Sequence, residues 1–281
     1  MNHKAILPAL GGFFFLALSS VFVKLISEFG TNTEWIVFIQ YGTSLLIITV
    51  ITSFKKFKPI KTGQIKLHLV RGITGMFGFT CFVICVRKTN IVDGTLLLNS
   101  APLFIPIIAL IWLRKKMDPR IWLGIIIGFI GIIFIIHPVT GDLLEMGEMY
   151  GVASGIFLAV ALIAMKELSR TETFEAVIFY FSLIATTCTL PFAILNWITP
   201  PAIVWVYGIS TGIAFMLYLF LLQHAYKFEE AGKLAPFNYS AVVFTVIFNI
   251  IIFNSFPDLI SIAGIVLVTA GGIMAIIYHS K

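Results

Sequence analysis

Of the 281 residues, 59% are hydrophobic and only 11% are charged, against about a quarter charged in a soluble domain. A globule of this composition has too few polar groups to face water, and 27 Phe, 8 Tyr and 5 Trp exclude disorder. The chain is built for lipid, and its net charge of +6 fits basic loops beside a bilayer better than a nucleic-acid surface.

Ten apolar runs follow one another along the chain: 5–26, 34–53, 68–86, 93–113, 121–137, 149–167, 174–195, 203–223, 233–253 and 259–278. At 1.5 Å per helical residue each crosses a hydrocarbon core of ~30 Å. The first run is too long for a signal-peptide core and lacks a small-residue cleavage site, so it stays as a helix. None alternates as a barrel strand does. The third holds Cys81 and Cys85 and the seventh Cys188. Without CxxC spacing or a nearby His or carboxylate, these are packing thiols, and no metal or cofactor is implied. The connections are too short for a soluble domain.

Lys and Arg fall unevenly among the connections. Sixteen of the 19 belong to the termini and the even-numbered loops, counting Arg71 with the loop that carries Lys55, Lys56, Lys58, Lys61 and Lys66. Only Arg87 and Lys88 lie on the other side, and Lys24 stands inside the first run. This bias predicts cytoplasmic termini.

Ten helices divide into two sets of five that enter the membrane in opposite senses. Ala101-Pro102 in the fourth run matches Ala235-Pro236 in the ninth; Gly124 and Gly131 in the fifth match Gly264 and Gly271 in the tenth; Glu34 and Phe38 in the second match Glu175 and Phe179 in the seventh. Their common order indicates an inverted repeat, an arrangement that places substrate sites near the midplane and lets the halves rock.

The segments Ala101-Pro102-Leu103-Phe104-Ile105-Pro106, Pro119 with Trp122-Leu123-Gly124 through Gly128 to Gly131, Ala235-Pro236-Phe237-Asn238-Tyr239, Phe256-Pro257-Asp258 and Gly264 to Gly271-Gly272 resemble the drug/metabolite transporter superfamily, in particular EamA-domain permeases with two EamA repeats. The resemblance covers essentially the whole chain. It departs from the family's pattern at Lys115, Ser255 and Gln40, where Glu, Glu and Arg are usual. It implies an all-α integral membrane fold with two EamA-like repeats, 1–140 and 147–281. The implied function is secondary transport of a small organic metabolite of the amino-acid, nucleoside or S-adenosylmethionine kind. A drug or lipophilic-compound exporter is the alternative, and a membrane-embedded enzyme a more distant one, since no HExxH, paired-aspartate motif or His cluster is present. The partners implied are a small-molecule substrate and the lipid bilayer, with no nucleic acid, in a monomer or weak homodimer of a bacterial cytoplasmic (inner) membrane.

Polar groups inside the bilayer are costly and mark candidate sites. Every carboxylate and His sits in a loop or near a run's end, which predicts a facilitator or exchanger rather than a proton-coupled carrier. Lys24 has two readings: a snorkelling amine paired with Glu28 one turn on, or a cationic anchor for substrate near the outer mouth. Gln40, Tyr41, Asn99, Tyr180, Tyr218, Asn238 and Tyr239 are candidates for lining a cavity bounded by helices 1–4 and 6–9, with helices 5 and 10 peripheral. The amides serve equally as glue between helices. Pro102 and Pro236 are candidate hinges or structural kinks. The topology has a direct test. Single cysteines at either terminus should resist an impermeant thiol reagent added outside sealed cells, and labelling of a terminus from outside overturns the assignment.

Overall fold

The computed structural model describes residues 3–57, 60–113, 119–135, 146–168, 170–226, 228 and 234–279. Lys115, the segment around Asp142, and Lys227 and Lys233 lie outside them. All regular structure among the described residues is helical: α1 (His3–Glu28), α2 (Thr33–Phe54), α3 (Ile65–Lys88), α4 (Ile91–Leu98), α5 (Ala101–Leu113), α6 (Pro119–Ile135), α7 (Met146–Leu168), α8 (Phe174–Leu195), α9 (Ala202–Tyr226), a 3-10 turn (Ala235–Tyr239) that runs into α10 (Ser240–Phe253), and α11 (Leu259–His279). Seven of the resulting segments are long and apolar enough to cross a membrane, with α4 and α5 counted together, and three shorter apolar helices complete the ten predicted runs. The chain is a multi-pass membrane protein.

Polarity is reversed relative to a soluble globule. Leu46, Phe220 and Ile251 are 69%, 58% and 73% exposed, whereas Ser20, Ser44 and Thr245 are buried. Such an apolar exterior suits hydrocarbon. Each of these three hydroxyls bonds a carbonyl one turn back: Ser20 to Leu16 (3.1 Å), Ser44 to Gln40 (2.9 Å) and Thr245 to Ala241 (2.7 Å). These bonds let small polar residues sit inside a span at little cost.

The fourth run is a broken helix because of Pro102. A proline there has no N–H for the Leu98 carbonyl and its ring crowds that oxygen. α4 accordingly ends at Leu98 and α5 starts at Ala101, where Pro102 occupies a first-turn position that needs no donor. Other carbonyls in the last turn of α4 accept bonds from the break itself. Asn99 donates its backbone N–H (3.0 Å) and Nδ2 (2.8 Å) to Thr95 O, and Ser100 Oγ donates to Leu97 O (2.6 Å). The second Ala-Pro opens the 3-10 turn, with Pro236 in its first positions.

The helices pack α1 on α9, α3 on α7, α2 on α8 and α6 on α11. The largest core cluster joins α1, α2, α3, α8 and α9 through residues such as Val21, Tyr41, Phe79, Phe181 and Phe215. The α6–α11 seam is made by the glycines whose spacing of seven marks both halves. A Cβ on Gly131 would stand 2.9 Å from Gly264 O and 2.6 Å from Val268 N; one on Gly271 would stand 2.5 Å from Gly124 O and collide with Gly128 N. Backbone cannot yield as a side chain does, so the two helices touch only because these positions are bare.

Two sequence expectations change. Arg71 is not a loop residue: it lies in the second turn of α3 and is 7% exposed. Removing it from the inner set leaves the charge bias intact. Glu172 and His68 stand near helix ends, as expected, but are enclosed, with side chains 5% and 0% exposed. The seam yields a stability prediction. Gly271→Ala should destabilise by about 1–3 kcal/mol, as overpacking does, read as a lower melting temperature in detergent. Gly42→Ala, whose added Cβ meets nothing within 4 Å, should leave it unchanged.

Candidate functional site

The centre of the molecule holds a positive charge inside an aromatic enclosure. Arg71 points from α3 with its guanidinium 4.2 Å from the centroid of Phe181 on α8. It lies along α3 toward the middle of the helix, over Gly75, where any Cβ would collide with Arg71 Nη1. Around it the rings form a continuous set. Tyr41 meets Phe181 (5.3 Å) and Phe79 (5.8 Å) edge-on, and Phe215 bridges Phe79 (6.0 Å), Phe181 (6.2 Å) and Tyr218 (6.0 Å). The phenols of Tyr41 and Tyr218 lie within electrostatic reach of the guanidinium. Among the described residues Arg71 makes no ion pair, and its Nε has no hydrogen-bond partner. A charged side chain inside a span is costly, and a desolvated cation–π stack returns about 2 kcal/mol of that cost.

Of the predicted site residues, Tyr41 belongs to this ring set, and Gln40 precedes it on α2. Gln40 and Tyr41 are both 0% exposed, and the Gln40 amide oxygen and nitrogen and the Tyr41 hydroxyl have no partner. Buried amides and hydroxyls are nearly always hydrogen-bonded in proteins, so three unpartnered atoms on adjacent residues are informative. Tyr218 joins through Phe215 and also meets Phe13 of α1 (5.9 Å). On α8, Ser182 Oγ beside Phe181 is likewise buried without a partner.

The remaining predicted residues lie in other places. Lys24 Nζ donates to Val86 O (3.0 Å) and Thr89 O (2.8 Å). It therefore caps the C-terminus of α3, where a cation suits both the free carbonyls and the helix dipole. The pairing with Glu28 is not among the ion pairs of the described residues. Tyr180 packs on His68, with ring centroids 4.6 Å apart. There His68 Nε2 stands 3.9 Å from Glu172 Oε2, and Thr62 Oγ1 donates to Glu172 Oε1 (2.7 Å). Asn99 is spent on closing α4, as described above. Tyr239 belongs to a separate cluster with Leu96, Leu103 and Ile132, and its hydroxyl occupies the space that a side chain at Gly272 would need. Asn238 is half-buried in the 3-10 turn. The three tyrosines expected to line one cavity thus sit in three clusters. Among the described residues no group of three His, Cys, Asp or Glu is placed to hold a metal.

Sequence reasoning missed Arg71 because it was grouped with the basic loop beside it. The usable signal was its place inside the third apolar run, with Gly75 one turn on, a pattern that leaves room for a long side chain to lie inward along its own helix.

Comparison with known proteins places this geometry in a family. The profile of the EamA-like transporter family matches residues 3–137 and again 145–277. An S-adenosylmethionine uptake transporter of Rickettsia conorii is 27% identical over 99% of this chain and 95% of its own length. A pseudopaline exporter of Pseudomonas aeruginosa is 24% identical over 83% and 82%. One solved crystal structure superposes with a TM-score of 0.68 at 14% identity, covering 100% of this chain and 99% of the other. Two successive family matches over the whole helical array make this chain a member of the EamA-like transporter family.

Proposed function

We propose that the protein is a secondary transporter of a small organic metabolite, working by alternating access as a facilitator or exchanger in a bacterial cytoplasmic membrane. Its two halves, 1–140 and 147–281, are inverted five-helix repeats with both termini cytoplasmic. The observation that carries this reading is the pair of consecutive family matches, which divide the chain where the helix count does. Helix packing supports the repeat. Exchanging the halves turns the α1–α9 contact into the α7–α3 contact and returns the α2–α8 and α6–α11 contacts to themselves. Gly131 against Gly264 becomes Gly271 against Gly124 in the same operation.

The transport site in this reading is the enclosure of Gln40, Tyr41 and Tyr218, with Tyr180 toward the inner end and Asn99, Asn238 and Tyr239 toward the second core cluster. Pro102 and Pro236 interrupt the fourth and ninth spans and are the proposed hinges, since a broken helix bends where its ladder is already open. Lys24 braces the outer mouth by holding the end of α3. The relatives named for S-adenosylmethionine uptake and pseudopaline export support a polar metabolite. The ring-lined interior supports one with an apolar or cationic part, because rings hold cations at ~0.5–2 kcal/mol each.

Purified protein in liposomes tests the class. S-adenosylmethionine and a panel of amino acids and nucleosides should include at least one compound that exchanges faster than in empty vesicles, and an uncoupler should leave most of that exchange. Chemical conversion without flux overturns the transporter reading; flux abolished by the uncoupler with the substrate gradient intact overturns the facilitator reading. Lys24→Met keeps the stem and removes both carbonyl bonds. It should cost about 1.5–3 kcal/mol, as hydrogen bonds to charged groups do, seen as a lower melting temperature with half-saturation unchanged. A tenfold rise in half-saturation at unchanged stability would make Lys24 a substrate anchor instead.

A further inference from the structure

The geometry points to Arg71 as the subsite that holds the carboxylate of the transported substrate, with Tyr41 completing its hydrogen bonds. The inference rests on the transporter reading and gives that site a chemical class of ligand. Arg71 is more than nine-tenths buried, makes no ion pair among the described residues and leaves Nε unpartnered. Its position is built rather than incidental. Gly75 clears the space along α3, and Phe181 supports the guanidinium from one face at 4.2 Å. A guanidinium stacked on a ring keeps its edge free, and that edge is the part that bonds a carboxylate through two parallel N–H groups.

The neighbouring unpartnered atoms are of the right kind. The Tyr41 hydroxyl, within reach of the guanidinium, is a donor without a partner, and Gln40, next to it in the chain, has an unpartnered amide as well. Buried donors without partners cost stability unless something occupies them. A structural arginine would be expected to meet a carboxylate of its own chain. Glu172, the enclosed acid near the start of α3's inner end, is instead taken by His68 and Thr62. A single guanidinium balances a single negative charge, which selects a carboxylate over a doubly charged phosphate. Tyr41, Phe79, Phe215 and Tyr218 then face the rest of the molecule with ring surfaces suited to an aromatic or cationic group.

The test offers proteoliposomes a bacterial metabolite extract and reads the lumen by mass spectrometry against empty vesicles. Compounds accumulated by the wild type should carry a carboxylate, and the amide of each should not be accumulated. Arg71→Gln should raise the half-saturation for those compounds at least tenfold, about 1.4 kcal/mol of binding, with the maximal rate within threefold. Arg71→Lys, which keeps the charge but not the paired donors, should fall between. Where Arg71→Gln does not fold, the carboxylate-against-amide comparison on the wild type decides alone. Accumulation of nothing overturns the transporter reading and this inference with it. Accumulation of compounds without a carboxylate, phosphates included, overturns this inference only. So does an Arg71→Gln protein that is less stable yet keeps the wild-type half-saturation, since that is the signature of a brace between α3 and α8.

Discussion

In hydrocarbon a polar group has no water to turn to, so each must find its partner within the chain. Most of this structure's polar detail follows from that constraint. Interior hydroxyls return their protons to carbonyls one turn back, Asn99 and Ser100 fill the gap that Pro102 opens, and Lys24 fills the end of α3. Ser20, Thr95 and Thr245 link α1, α4 and α10 through hydroxyls 3.4 Å apart. Against that background the buried polar atoms without a hydrogen-bond partner stand out, those of Gln40, Tyr41 and Arg71 and, elsewhere among the described residues, those of Trp35, His68, Ser182, Thr186, Thr211 and Tyr239.

The same constraint explains where the structure is rigid. Lipid offers no hydrophobic drive to press helices together, so close contact depends on small residues. The α6–α11 seam, with glycine against backbone at both ends, is the tightest expression of this. It packs against α5 and the 3-10 turn, the two elements that begin at an Ala-Pro pair. The ring-rich centre is built differently. Its aromatic contacts are edge-on or tilted at 5–7 Å, an arrangement that reorients with less loss than interlocked backbone.

How much of this was legible in the sequence follows from what each feature depends on. Span number depends on local composition, and the ten runs are visible. The glycine spacing of seven in Gly124/Gly131 and Gly264/Gly271 named the residues that meet, though not that they meet each other. Arg71 was illegible because a basic residue a few positions from a basic loop obeys the same rule as the loop; only the packing of Phe181 and the vacancy at Gly75 separate the two cases. Tyr218 and Tyr239 were legible as deeper than an interface belt, but the three tyrosines were not legible as non-neighbours, because depth is a property of one helix and adjacency a property of two. Lys24 was read against its own helix, where Glu28 is one turn away, whereas its true partners, Val86 and Thr89, are on α3.

Among the described residues, polar links join the two halves at both ends of the helix array. At the end where α2 finishes and α3 begins, Lys55 meets Glu175 at 2.7 Å, Thr62 meets Glu172 at 2.7 Å and His68 stands 3.9 Å from the same carboxylate. All three join the first half to the second. At the opposite end, Lys24 to α3 and Arg87 to Thr33 (2.6 Å) stay within the first half, and Asn32 to Asn196 O (3.0 Å) crosses between them. Arg71 lies one helical turn from His68 on α3. The buried arginine and the histidine that faces Glu172 of the second half are thus carried on adjacent turns of one helix.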